Sequence, residues 1–196
     1  SSPASVRRPE MSQPVPPRPG QGAQKARLAE ILRVDQAGEL AAVHIYRGQQ
    51  AVMRNAPGRE RIAEQLGEME GHEQVHLTRF NELLGERQVR PTLMSPVWRA
   101  AAFALGAGTA LLGEKAAHAC TEAVETVIEQ HYAGQIAELE ARDPALAAEL
   151  SQFRDDELHH KDIAIGEGAL EAPAYPLLSA VIRAGCRAAI KISEKI

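Results

Sequence analysis

From residue 25 onward, apolar residues recur at three- and four-residue intervals, the spacing of helices that each bury one face. Leu28, Ile31, Leu32, Leu40, Val43 and Val52 form such a stripe over about 25–54, and Pro57-Gly58 ends it. A second helix is predicted over about 59–85, stopped near Gly85, after which Pro91 and Pro96 bound an extended connection. A third begins near Val97 and reaches about Ala141, with a kink expected among Gly106, Gly108 and Gly113. Asp143-Pro144 starts a fourth that ends near Gly168, and Pro173 and Pro176 precede a short final helix to Ile196. The pattern predicts an all-α chain: two helix pairs separated by the 85–97 connection, plus a short amphipathic helix at the C-terminal end.

Residues 1–24 break this pattern. Pro3, Pro9, Pro14, Pro16, Pro17 and Pro19 cannot continue a helix, so an extended, disordered tail is expected before a single domain over 25–196. Arg7, Arg8 and several Ser are compatible with a processed transit peptide, and Met11 with an alternative start; there is no apolar h-region of a secretory signal. A chain of 196 residues is long enough for one sizeable core, and abundant Ala, Leu, Glu and Arg favour helix. The net charge of −4 argues against a nucleic-acid partner, and Cys120 and Cys186 do not make a disulfide framework. Arg far outnumbers Lys, which points to a GC-rich, bacterial genome.

One pattern is written twice along this scaffold. Glu39 is followed by Glu73-Gln-Val-His76, and Glu125 by Glu157-Leu-His-His160. A single Glu-x-x-His arises by chance about once in a chain so rich in Glu, and such carboxylates are ordinarily surface charges. Two copies, each trailing a Glu by nearly one interval, are harder to dismiss. Residues three apart share a helix face, so each Glu and His can converge on one point. Four helices supplying Glu, Glu-x-x-His, Glu and Glu-x-x-His are the donor set of a carboxylate-bridged dinuclear iron or manganese site in a ferritin-like four-helix bundle, with a long crossover between halves.

Several neighbours compete for these roles. His72 and His76 are four apart, like a zinc pair; His159 precedes His160; Asp156 lies three before His159; Glu70 and Glu122 lie three before Glu73 and Glu125. Register favours the first set, since Glu39 to Glu125 spans 86 residues and both Glu73 to Glu157 and His76 to His160 span 84. Behind the ligands, Asp35 is four before Glu39, Asp156 four before His160 and Tyr132 seven after Glu125, each placed to share its ligand's face and support it.

Residues 97–113 are nearly uncharged but, with Arg99 inside, make a poor membrane span. The last helix sets Arg183, Arg187, Lys191 and Lys195 in a stripe beside Leu177, Leu178, Val181, Ile182 and Ile192, the form of a helix lying in a membrane interface. Packing against the bundle or a sister subunit is the competing reading. With an oxidative metal site, the pair suggests a greasy substrate taken from a bilayer.

Arg33-Val-Asp-Gln-Ala-Gly-Glu39, His76-Leu-Thr-Arg-Phe-Asn-Glu-Leu83, Val89-Arg-Pro-Thr92, Phe103-Ala-Leu-Gly-Ala-Gly-Thr-Ala-Leu-Leu-Gly113 and Ala172-Pro-Ala-Tyr175 carry a resemblance to the demethoxyubiquinone hydroxylases. The similarity runs in order from about residue 25 to the end. It implies a ferritin-like di-iron monooxygenase of ubiquinone biosynthesis, with Glu39, Glu73, His76, Glu125, Glu157 and His160 on two iron ions per chain. It implies dioxygen as co-substrate, a polyprenylated demethoxyubiquinone as substrate, and an external reductant such as NADH. No Gly-rich dinucleotide fingerprint accompanies that reductant. The expected setting is peripheral, on the cytoplasmic face of a bacterial inner membrane or the matrix face of the mitochondrial one. A lipid-binding protein of the ubiquinone pathway is an expected partner, and a homo-oligomer stays open. The alternatives are a ferritin-like iron oxidase or storage protein with the same ligands, and a metal-free membrane scaffold.

Overall fold

A computed structural model describes residues 20–196. Six α-helices account for nearly all of them: α1 (Gln21–Met53), α2 (Glu60–Glu86), α3 (Ser95–Leu111), α4 (Glu114–Leu139), α5 (Pro144–Gly166) and α6 (Tyr175–Lys195), with one 3₁₀ turn at Ala169–Glu171. There is no strand among the described residues. Most of the expected tail, residues 1–19, lies outside the described residues, and α1 begins at Gln21 rather than at 25.

The helices form because the apolar stripes have somewhere to go. α1 and α2 make one antiparallel hairpin and α4 and α5 another. At one end of the bundle Ile31, Leu32, Phe80, Leu84, Leu139, Leu146 and Leu150 close an apolar layer drawn from all four helices. At the other end Met53, Ile62, Leu66, Met69, Ala110 and Ala117 close a second. Leu32, Leu66 and Leu150 are fully buried, and truncating any one of them to Ala would cost about 2–5 kcal/mol. Asp143 caps α5, its carboxylate accepting from the Leu146 N–H at 3.2 Å, with Pro144 at the first helical position.

The structure corrects the expected third helix. It is two helices, α3 and α4, broken after Leu112 where Gly113 takes φ = +116°. Gly106 does not kink α3. A Cβ there would collide with the Ile45 carbonyl oxygen, and one at Gly48 with the Phe103 carbonyl oxygen, so α1 and α3 cross backbone to backbone. The crossover between the halves is therefore longer than 85–97, and it carries a helix that packs on α1.

α3 and α6 lie side by side over the seam of α1 and α4, joined by a Trp98 Nε1–H to Ser193 Oγ hydrogen bond of 2.9 Å. The opposite seam, between α2 and α5, has no such cover among the described residues. The basic stripe of α6 also reads differently in three dimensions. Arg183 turns inward to Glu122 of α4 at 2.7 Å, and Lys195 reaches Glu30 of α1 at 2.8 Å. Arg187 and Lys191 remain exposed, alongside exposed Leu177 and Val181. No described helix is long and apolar enough to cross a membrane.

Candidate metal centre

Between the two apolar layers, where further leucines would make a dry core, the chain places acids. Glu39 (α1), Glu73 and His76 (α2), Glu125 (α4), and Glu157 and His160 (α5) all project inward, and none is more than 3% exposed. Their donor atoms fall into two overlapping groups. Glu39, Glu73, His76 and Glu157 offer atoms within 4.8 Å of one another, and so do Glu73, Glu125, Glu157 and His160. Glu73 and Glu157 belong to both groups; Glu39 with His76, and Glu125 with His160, belong to one each.

Both imidazoles present Nδ1 to the carboxylates. His76 Nδ1 lies 3.2 Å from Glu157 and 3.5 Å from Glu39; His160 Nδ1 lies 2.9 Å from Glu73 and 3.6 Å from Glu157. Yet both Nδ1 atoms, both oxygens of Glu73 and of Glu157, and Oε2 of Glu39 and of Glu125 lack a hydrogen-bond partner. Buried polar atoms are ordinarily satisfied, and buried unpaired carboxylates cost several kcal/mol each. Burial, reinforced by the neighbouring carboxylates, pushes Glu73 and Glu125 well above the usual carboxylate range. Burial acts upward on Glu157 too, but His160 and His76 outweigh it and hold it at about 2. Burial lowers His76, and the facing Glu157 and Glu39 raise it further, to about 11. The cluster thus clings to protons that divalent cations would displace. Four hard carboxylates and two imidazoles, with the two shared Glu in the middle, fit a pair of such cations and would neutralise their charge.

A second ring of contacts crosses between the halves of the repeat. The Tyr132 hydroxyl donates to Glu39 Oε1, and the Tyr46 hydroxyl donates to Glu125 Oε1 at 3.1 Å. Each tyrosine lies seven residues after the Glu of its own half and bonds the Glu of the other. Tyr46 escaped the sequence reading, although applying the Glu125-to-Tyr132 interval to Glu39 would have found it. The outer nitrogens of the imidazoles behave alike. His76 Nε2 meets Asp156 Oδ2 at 3.0 Å, and His160 Nε2 meets His72 Nδ1 at 3.1 Å. Asp156 therefore serves the histidine of the other hairpin, not His160 on its own helix. His72 touches the cluster from outside, and His159 points to solvent.

The remaining neighbours have other partners. Asp35 is buried but bonds none of the six; it accepts from Gln135 Nε2 at 2.8 Å and lies 3.6 Å from His131. Burial pushes its carboxyl well up. Glu70 pairs with Arg47, and Glu122 with Arg183 and the Tyr175 hydroxyl.

On the α1/α4 side the cluster backs onto an apolar cavity of about 410 Å³. Its walls come from α1, α3, α4 and α6, including Ala41, Trp98, Leu105, Ile128, Val181 and Cys186. Gly38 and Val124, next in sequence to Glu39 and Glu125, line it too, so the helices that carry these two carboxylates also form its inner wall.

Comparison with known proteins places this geometry in context. Residues 26–193 match the family described as ubiquinone biosynthesis protein COQ7. The chain is 47% identical over 178 residues to the 3-demethoxyubiquinol 3-hydroxylase of Rhodospirillum rubrum, covering 91% of this chain and 82% of that protein. It is 47% identical over 176 residues to the mitochondrial NADPH-dependent 3-demethoxyubiquinone 3-hydroxylase of Homo sapiens, covering 88% and 79%. With the mitochondrial 5-demethoxyubiquinone hydroxylase of Saccharomyces cerevisiae it shares 43% identity over 190 residues, covering 89% and 80%.

Proposed function

Because the chain belongs to the ubiquinone biosynthesis protein COQ7 family, we propose that it is a di-iron monooxygenase that hydroxylates the ring of a polyprenylated demethoxyubiquinone or its quinol. The observation that carries this reading is the juxtaposition of the buried carboxylate–imidazole cluster with the apolar cavity. Glu39, Glu73, His76, Glu125, Glu157 and His160 would hold two iron ions per chain, with Glu73 and Glu157 facing both positions. Bound there, the iron pair supplies the two-electron activation of dioxygen that light-element side chains cannot perform.

The protein's own residues do the rest. The cavity takes the quinone head and the first part of its tail and excludes water from the inner wall. Tyr46 and Tyr132 fix the two unshared carboxylates, and Asp156 and His72 fix the outer nitrogens of the imidazoles, so the donors are preorganised before substrate arrives. In the net reaction a ring C–H becomes C–OH. One atom of dioxygen enters the product and the other leaves as water, with two electrons and two protons from an external reductant. A reduced nicotinamide is the natural donor class: NADH by the family resemblance, NADPH in the names of several relatives.

The exposed apolar residues of α3, its C-terminal turn and α6, Phe103, Leu111, Leu112, Leu177 and Val181, with Arg187 and Lys191 beside them, suit a peripheral site on an anionic bilayer. That surface would be the cytoplasmic face of a bacterial inner membrane or the matrix face of the mitochondrial one. A lipid-binding protein of the same pathway would present the substrate there. An iron-storage role would leave the cavity beside the carboxylates without a use. The test is turnover of demethoxyubiquinone by iron-loaded protein with ¹⁸O₂ and a reductant. One labelled oxygen in the quinone product is expected; iron oxidation with no labelled quinone would favour the oxidase reading instead.

A further inference from the structure

The six donors and the tyrosine contacts repeat between the two halves of the centre, but the groups behind the two imidazoles differ. Four residues before His160 stands Asp156, and four before His76 stands His72. Each reaches across the α2/α5 seam to the histidine of the other hairpin, so His76 leans on a carboxylate at 3.0 Å and His160 on an imidazole at 3.1 Å. Both histidines turn Nδ1 to the cluster, which leaves Nε2 as the outer nitrogen. Behind it stands a carboxylate oxygen of Asp156 in one half and an imidazole nitrogen of His72 in the other.

A carboxylate behind a metal-bound imidazole draws its N–H proton outward and raises the basicity of the donor nitrogen; a neutral acceptor does so far less. We propose that the two metal positions are inequivalent, with the position served by Glu39 and His76 the tighter and the position served by Glu125 and His160 the weaker. Asp156 and His72 are the positioning residues that set the order. The tyrosine contacts do not produce the difference, since each unshared carboxylate receives one hydroxyl. The proposal rests on the reading of the cluster as a dinuclear metal centre, and the experiment separates the two.

The full-length chain, stripped by chelation, is titrated with Co(II) and followed by visible absorption, with helix content and thermal midpoint recorded for every variant. Two binding steps are expected in the native sequence. Asp156→Asn keeps the size and an acceptor oxygen but removes the charge. It should weaken the tighter step by about 10- to 100-fold, so that the two steps merge, and Asp156→Glu should restore most of the loss. His72→Asp installs the missing carboxylate and should strengthen the weaker step by a similar factor. Both positions are exposed, so neither change threatens the core. His160→Ala should retain a single tight step and His76→Ala a single weak one. If Asp156→Asn and His72→Asp leave both steps where they were, or move the opposite step, the inequivalence is overturned while the dinuclear centre stands. If the native sequence takes up no Co(II), the metal reading itself fails and the proposal with it.

Discussion

The carboxylate cluster meets two unlike regions of the molecule. Over the α1/α4 seam, α3 and α6 roof an apolar cavity of about 410 Å³ with no charged side chain in its walls. Over the α2/α5 seam no described residue forms a roof, and the cluster reaches the surface through Asp156 and His72, both exposed. Four-helix bundles tend to present equivalent faces; here the added pair of helices makes them different. The difference divides the labour of an oxygenation. One side offers room for an apolar organic molecule, and the other sets polar side chains between the cluster and solvent. The same six residues under two bare seams would have no apolar cavity beside them.

The most damaging test of this division removes what the two sides share. Glu73 faces both donor groups, so Glu73→Ala should lower bound iron from two per chain toward none and reduce turnover to background, with helix content retained by circular dichroism. Full iron occupancy in that variant would sink the cluster's assignment. Next in size is a change confined to the roofed side. Gly38 lines the cavity, and a Cβ added there meets nothing within 4 Å, so Gly38→Leu should fill space without disturbing α1. Steady-state kinetics should show at least about a tenfold loss on the prenylated quinone, with iron content unchanged. A loss of iron instead would mean that the cavity wall and the ligands are not separable.

The metal-free state offers a smaller and more general test. His76 has a folded value of about 11 against an ordinary 6.5, so its stabilising proton is fully present below pH 6.5 and is lost as pH rises toward 11. Glu73 and Glu125, raised well above 4.5, act in the same sense as pH rises above that ordinary value. Buried His118 and half-buried His131, both lowered by desolvation, oppose this only below their ordinary value. Between pH 7 and 9 the metal-free chain should therefore lose stability with rising pH, by up to about 1.4 kcal/mol per pH unit for each proton. Urea unfolding at pH 7, 8 and 9 measures it. Metal loading should flatten the slope, and stability that rises with pH in the metal-free chain would contradict the proton-holding reading of the cluster. Smallest of all, Tyr46→Phe removes one hydroxyl bond to Glu125 and should cost about 1 kcal/mol of stability. Tyr132→Phe should do the same at Glu39 if the repeat treats its halves evenly there.

Much of this was legible in the residues. The apolar stripes located α1, α2 and α5 and ran α3 and α4 together as one helix, and the doubled spacing singled out the six residues that the fold gathers. What stayed hidden depended on contacts between distant segments. Gly106 reads as a kink until α1 is seen crossing it. Arg183 reads as a membrane-facing cation until Glu122, 61 residues away, is seen accepting it. Periodicity tells which face of a helix is apolar, not what covers that face. His72 and Asp156 look like rivals for the metal from spacing alone, because a residue four positions before a ligand on one helix can as easily serve the helix opposite.

The bare-backbone crossing of Gly48 and Gly106 bears on how the cavity can change over generations. A methyl group at either position meets a carbonyl oxygen, not the tip of a mobile side chain, so no rotamer adjustment absorbs it and the two helices would have to move apart together. The α3 wall is thus mutationally stiff. Gly185 on the α6 wall faces open space, and a larger residue there has room to be accepted. Divergence toward longer, shorter or bulkier substrates has its open route through α6, where a single substitution can be tried without disturbing the helix that carries Glu39.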